Sequence, residues 1–343
     1  MSEIPVTEAA PKTARFGPRV LVPAVACVVA VGGTGAWLAL GSGGGSGACT
    51  ALVKDPRIER ALGDAYEDDL SCEDLGEAIQ EAAVGDEPQR RHSKEQAQAM
   101  KSVIYALDDE IRRAGPGQKL HAELRGPVAA ALADYVVDTH RMLGVGDAQY
   151  TRNASPADDA WEAKDGFHMA VLKDPLLRVM RAVSDDPDAY VRLRTAETRY
   201  AADELAAVDR KAAGFALSVP PSSAARAFAA LDAVATDVMR DRTKEEADAW
   251  QRSVIDALAD DDSDDVPSFE DRPAEHITGT WRKGLATAKA EERAPYLERQ
   301  GADMTRIWGQ ARGMKATALS GLVNGSVNRA DAARVEFLGR LAG

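Results

Sequence analysis

SKEQAQAMKSVIYALDDEIRR, residues 93–113, is the stretch that decides the fold class. Met100, Val103, Ile104, Leu107 and Ile111 recur every three or four residues, which is one apolar stripe along an α-helix. Asp108, Asp109, Glu110, Arg112 and Arg113 fall largely off that stripe. Ser93 followed by Gln96 forms a capping box, a start signal because each residue satisfies a backbone N–H that the first helical turn leaves without a partner. Gly115-Pro116-Gly117 is the stop.

The same pattern continues outward. Toward the N-terminus, Ser71 and Asp74 form a second capping box, opening CEDLGEAIQEAAVG, which closes at Gly85. Toward the C-terminus, Leu120, Leu124, Val128, Leu132, Val136 and Leu143 share one side of a further helix, with a kink or break expected at Gly126-Pro127. Two helices joined by a short Gly-Pro turn read as an antiparallel hairpin. The periodicity lapses over residues 144–166, and a structureless loop of that length is uncommon inside a domain. A boundary between two helical lobes is therefore expected there. Helical patterns return over residues 167–183, 188–217 and 223–259. The last is entered through Pro220-Pro221, and its charged middle, RDRTKEEAD, reads either as a solvated face or as a break. Three more helices are expected at residues 274–292, 294–319 and 329–341. No run of alternating β-branched residues argues for a sheet, and no repeat of solenoid length is present. The expected class is all-α.

The N-terminus has a different character. Residues 20–40, VLVPAVACVVAVGGTGAWLAL, contain no charge, and as a helix they would extend about 30 Å at ~1.5 Å per residue, the thickness of a bilayer core. Their length favours an uncleaved anchor over a cleaved signal, or over a lipoprotein signal that would acylate Cys49. Lys12, Arg15 and Arg19 precede the span, whereas the first basic residue after it is Lys54, so the expected location is the cell membrane, single-pass, with residues 1–19 as a cytoplasmic tail and the body outside. The expected organisation is then residues 1–19 as tail, 20–40 as span, 41–48 as a Gly/Ser tether, 49–145 as lobe 1, 146–166 as connection, and 167–343 as lobe 2 with an acidic linker at 260–273.

Composition narrows the function classes. The chain has a formal charge of −13; Lys12, Arg15 and Arg19 against Glu3 and Glu8 give residues 1–19 a net +1, so the remainder carries −14. Such a body disfavours nucleic acid, whose phosphates need a positive field. Aromatic residues make up 5%, which with abundant alanine suits closely packed helices. Cys49 and Cys72 are candidates for a disulfide that ties the start of the body to its first capped helix.

Local motifs for chemistry are sparse. Asp260, Asp262, Asp264 and Asp271 superficially resemble a calcium loop, yet Asp265 occupies the position of the required glycine and Asp271 that of the bidentate glutamate. The five histidines, His92, His121, His140, His168 and His276, make no HExxH, and Glu275-His276 is the one adjacent acid and base. GxSxG, a P-loop, a dinucleotide fingerprint and CxxC are absent, so no catalytic residue and no cofactor is expected. Tyr105 to Asp109 and Tyr200 to Glu204 match the loose YxxxD/E pattern associated with type VII secretion substrates. The expected function is protein interaction, or a structural role, in a cell-envelope complex, with a protein as partner. The alternatives are a secreted or lipid-anchored effector, and an envelope hydrolase. The hydrolase would require a pocket that gathers acids and histidines from distant segments.

Overall fold

Residues 47–85, 91–115, 119–260 and 265–343 are described by the computed structural model of the chain. Among these residues helix makes up 74% and strand 2%, an all-α fold. The chain begins with α1 (Gly47–Val53), α2 (Pro56–Leu62) and α3 (Cys72–Val84). Asp55 starts α2 by accepting the Arg57 backbone N–H at 2.9 Å, and Pro56 takes a first-turn position where its missing N–H is harmless. Ser71 starts α3, accepting from the Asp74 backbone N–H at 3.1 Å. Cys49 on α1 and Cys72 on α3 are paired in a disulfide with Cα atoms 5.5 Å apart. Closing a loop of this size contributes about 3 kcal/mol, chiefly by restricting the unfolded chain.

Helix α4 (Lys94–Ala114) has both halves of its capping box: Gln96 N–H donates to Ser93 Oγ at 3.2 Å and Ser93 N–H to Gln96 Oε1 at 2.8 Å. Met100, Val103, Ile104 and Leu107 are fully buried, as the stripe requires. Helices α5 (Ala122–Asp134) and α6 (Val136–Leu143) follow, then α7 (Ala148–Arg152). Pro127 lies inside α5 without ending it, and the break comes instead at Tyr135. The proline ring fills the surface of α3 at Gly76, where an added Cβ would sit 3.1 Å from Pro127 Cγ. Interhelical packing thus compensates for the lost backbone hydrogen bond.

Residues 161–168 hold the strands among the described residues, β1 (Trp161–Ala163) and β2 (Gly166–His168), paired antiparallel with Trp161 opposite His168. The sequence reading lacked this hairpin. Its turn depends on Gly166, whose φ of +133° suits only glycine and where a Cβ would meet Arg91 Cα at 3.2 Å. The Phe167 N–H donates to His92 O at 3.2 Å and ties the hairpin to the chain just before α4.

The rest of the body is α8 (Lys173–Val183), α9 (Pro187–Ala206), α10 (Phe215–Arg240), α11 (Lys244–Ala259), α12 (Pro273–Thr287), α13 (Ala290–Glu298), α14 (Gln300–Ala311) and α15 (Ala316–Leu341). Helix α10 is the hub, packing on α15, α14, α9, α6 and α8. Its buried Ala224, Ala225, Ala227, Ala229, Ala230 and Ala233 allow that close approach. Several boundaries differ from the sequence expectation, and one reading left open there is decided. Pro220-Pro221 lies within α10 rather than at its entrance. RDRTKEEAD is a break, because Thr243 and Glu246 form a capping box that starts α11. Residues 316–341 are one helix despite Gly321, Asn324, Gly325 and Asn328, since packing against α10 outweighs weak local propensity.

The described residues form one compact unit, and Tyr150, Ala154 and Ala160 from the expected inter-lobe segment join the same buried cluster as α4 and α10. The expected single-pass membrane location requires correction: among the described residues no helix is long and apolar enough to cross a membrane. The longest helices show why. Helix α10 carries Arg226, Asp232, Asp237 and Arg240, and α15 carries Arg329, Asp331, Arg334, Glu336 and Arg340. The tail 1–19, the span 20–40 and tether residues 41–46 lie outside the described residues.

Candidate functional site

Asp138 is the residue on which a cleft is built. It sits in the first turn of α6, 2% exposed, with three donors around its carboxylate. The Tyr150 hydroxyl of α7 donates to Oδ1 at 2.6 Å, His168 Nδ1 of β2 donates to Oδ1 at 2.7 Å, and the Met169 backbone N–H donates to Oδ2 at 3.0 Å. The other nitrogen of His168 reaches Asp165 Oδ1 at 3.1 Å, so the imidazole lies between two carboxylates. The hydrogen bond to Asp138 is the main cause that raises the His168 pKa to about 9, and the ring is an imidazolium at neutral pH. The Asp165 carboxyl is lowered in turn, first by its hydrogen bond from His168. Burial, then the Asp138 charge, pushes the Tyr150 hydroxyl up, so it stays a donor.

A second wall comes from the chain before α4 and from the α5–α6 junction. His92 stacks on Tyr135 with ring centroids 3.7 Å apart and an interplanar angle of 14°. The Tyr135 hydroxyl donates to Ala83 O at 3.0 Å, which braces the stack against the end of α3. The His92 side chain is 8% exposed, and its Nε2 lies 3.5 Å from Asp134 Oδ2. Its buried Nδ1 has no hydrogen-bond partner. Burial lowers the His92 pKa and keeps this ring neutral. The two cleft histidines are therefore in opposite protonation states.

Helix α9 closes the cleft with Ala196, Arg199, Tyr200 and Asp203. Behind it, His140 Nδ1 and Glu197 Oε1 are 2.8 Å apart and buried, with the His140 ring edge-on to Tyr200 at 4.9 Å. The resulting cavity is about 730 Å³, of the size that takes a side chain cluster or a small ligand. Four aspartates (134, 138, 165 and 203) line the cleft with Arg199 and the protonated His168, so acidic side chains outnumber basic ones in its wall. Tyr135, Phe167 and Tyr200 provide aromatic surface. Among the described residues, the acids and imidazoles of the cleft do not converge as a three-ligand metal group.

The protonation of His168 makes a prediction about stability. Its folded pKa of about 9 exceeds the unfolded value of about 6.5, so its contribution is complete below about pH 6.5 and is lost as the pH rises through about 9. At ~1.4 kcal/mol per pKa unit the expected loss is about 3 kcal/mol across that window, read from urea midpoints. His168→Gln should flatten the slope there; an unchanged slope would mean that another group titrates.

Of the residues singled out in the sequence, His92, His168 and Tyr200 line the cleft, and the others lie elsewhere. Asp260 ends α11, Asp271 accepts from Ser268 Oγ at 2.7 Å, and Asp262 and Asp264 fall outside the described residues. Glu275 pairs with Arg272 at 2.7 Å while His276 Nδ1 donates to Pro267 O at 2.8 Å, so the two neighbours serve different partners. Tyr105 is buried, and its hydroxyl donates to Ala154 O and accepts from Leu172 N–H. The cleft residues were visible singly, and one local signal was available: Asp165-Gly166, between Trp161 and Phe167, is a hairpin turn signature.

The molecule is thus a helical body with an acidic, aromatic, histidine-containing cleft. No protein-family model, no curated protein and no solved structure matches the chain.

Proposed function

We propose that the protein is an interaction module whose cleft receives a cationic segment, bearing Lys or Arg, of a protein partner. The observation that carries this reading is the cleft's composition, four aspartates against Arg199 and His168 beside Tyr135, Phe167 and Tyr200. Aromatic faces and carboxylates together suit an ammonium or guanidinium, through cation–π attraction and charge-assisted hydrogen bonds. The −14 of the chain beyond residue 19 adds a long-range field of the same sign, which speeds encounter with a basic partner.

The test is selection from a displayed random-peptide library, followed by titration of the selected peptides. Basic residues should be enriched, and Asp134→Asn with Asp165→Asn should weaken binding about tenfold or more, equivalent to about 1.4 kcal/mol. Selection of acidic or purely apolar peptides, or indifference to the two substitutions, would overturn the proposal.

A hydrolytic reading draws on one observation, that acids and histidines from distant segments do gather in this cleft. It is the weaker of the two. Both nitrogens of His168 are engaged by carboxylates, which holds the ring as a cation with no lone pair to act as a base. His92 is the neutral imidazole that such a mechanism would use.

A further inference from the structure

At the far end of α4 from His92, a second cluster involves residues the cleft does not use. Cys49 Sγ, Cys72 Sγ and a ring nitrogen of His121 all lie within 4.8 Å of one another. The three come from separate elements: α1, the first position of α3, and the residue preceding α5. His121 occupies a helix N-cap position yet makes no side-chain capping bond, and its buried Nδ1 has no hydrogen-bond partner. Glu123 Oε2 lies 3.4 Å from that nitrogen. Leu52, Ile111, Leu120 and Leu124 surround the cluster, and a cavity of about 30 Å³ beside it has room for a single water.

We propose that, when the Cys49–Cys72 disulfide is reduced, the two thiolates and His121 bind a divalent zinc-like cation, so that the N-terminal helices carry either a covalent or a metal crosslink. Two sulfurs at about 2.3 Å and one nitrogen at about 2.0 Å from a tetrahedral ion stand on the order of 3.5 to 3.8 Å apart. The present separations fall within reach of that geometry, and a Cα–Cα distance of 5.5 Å serves either crosslink. The fourth position falls to water or to the Glu123 carboxylate. Thiolate with imidazole is a soft donor set that favours zinc over calcium or magnesium.

The chemistry balances. A dithiol reductant transfers two electrons and two protons to the disulfide, its own sulfurs becoming a disulfide while Cys49 and Cys72 become thiols. The cation then displaces one proton from each thiol, forming two metal–sulfur bonds and releasing two protons. His121 contributes a ring-nitrogen lone pair as the third ligand.

The experiment uses the full chain reduced with a phosphine and titrated with cobalt(II), whose tetrahedral thiolate complexes absorb in the visible and near ultraviolet. The expected result is one cobalt per chain with thiolate charge-transfer bands, displaced by zinc, and none in the oxidised protein. His121→Ala should weaken cobalt binding at least about tenfold and alter the visible bands; Cys72→Ser should abolish the charge-transfer bands. The oxidised His121→Ala protein, checked by circular dichroism, separates ligand loss from misfolding. Absence of the bands in the reduced protein would overturn the proposal, as would identical titrations for the wild type and His121→Ala. So would loss of helical signal on reduction, because the fold alone brings the three ligands together.

Discussion

Asp138→Ala lowers the unfolding free energy by about 3 to 5 kcal/mol and dismantles the cleft. The magnitude follows from what the substitution leaves behind. His168 is a cation 12% exposed whose strongest partner is this carboxylate, and an uncompensated buried charge costs that much. The Met169 N–H and the Tyr150 hydroxyl lose their acceptor in the same step. Asp165 still faces His168 from the other side, which holds the cost toward the lower figure. Asp138→Asn should fall between: its amide oxygen can accept, but its NH2 group meets donors on both sides. Urea denaturation at neutral pH measures the loss, and the fluorescence of Trp161, which packs 5.6 Å from the His168 ring, reports separately on the hairpin. A cost below about 1 kcal/mol would show that the hairpin stands without this hub.

Arg194→Met is the other large effect, expected at about 4 kcal/mol, and it acts on the body rather than the cleft. Arg194 is 0% exposed on α9 and donates to Gln300 Oε1 at 2.8 Å, the Tyr190 hydroxyl at 2.7 Å, Asp232 Oδ1 at 2.6 Å and Leu297 O at 2.7 Å. It joins α9, α10, α13 and α14 through one guanidinium, a planar fork that lysine could not replace. Methionine restores the volume but strands Asp232 as a buried carboxylate without its cation, which is the expensive outcome. The double variant Arg194→Met, Asp232→Leu should recover about 2 kcal/mol or more, since replacing both partners by apolar groups removes the stranded charge. Chemical denaturation of the single and double variants decides it. A double variant no better than the single would assign the cost to Gln300 and the Leu297 carbonyl instead.

The fold was legible where local signals and packing agree. Ser93 with Gln96 and the stripe from Met100 to Ile111 specify α4 completely, and the structure adds only its partners. Thr243 with Glu246 was equally readable as a start, which settles the two readings of the charged stretch in favour of a break. The signal failed where tertiary packing overrides propensity. Pro127 does not end α5 because α3 offers Gly76 to its ring, and Asn324-Gly325 does not end a helix pressed against α10. The cleft was illegible for another reason. His92, Asp134, Asp138, Asp165, His168 and Asp203 belong to four separate segments, and no spacing among them repeats a motif. What brings them together is the break at Tyr135, which redirects α6, and the Gly166 turn, which places His168 over Asp138.

Tyr135 also bears on how the cleft receives anything. Its ring is one wall, stacked on His92, while its hydroxyl is held by the Ala83 carbonyl at the end of α3. The rotamers of both rings are therefore fixed as the chain folds, and little conformational freedom remains to be lost when a guest arrives. On the binding role proposed above, the cleft is pre-organised and the ordering cost of association falls on the incoming segment. Discrimination among guests then rests on how well shape and charge match in the bound complex, and differences in affinity among them should show mainly as differences in residence time.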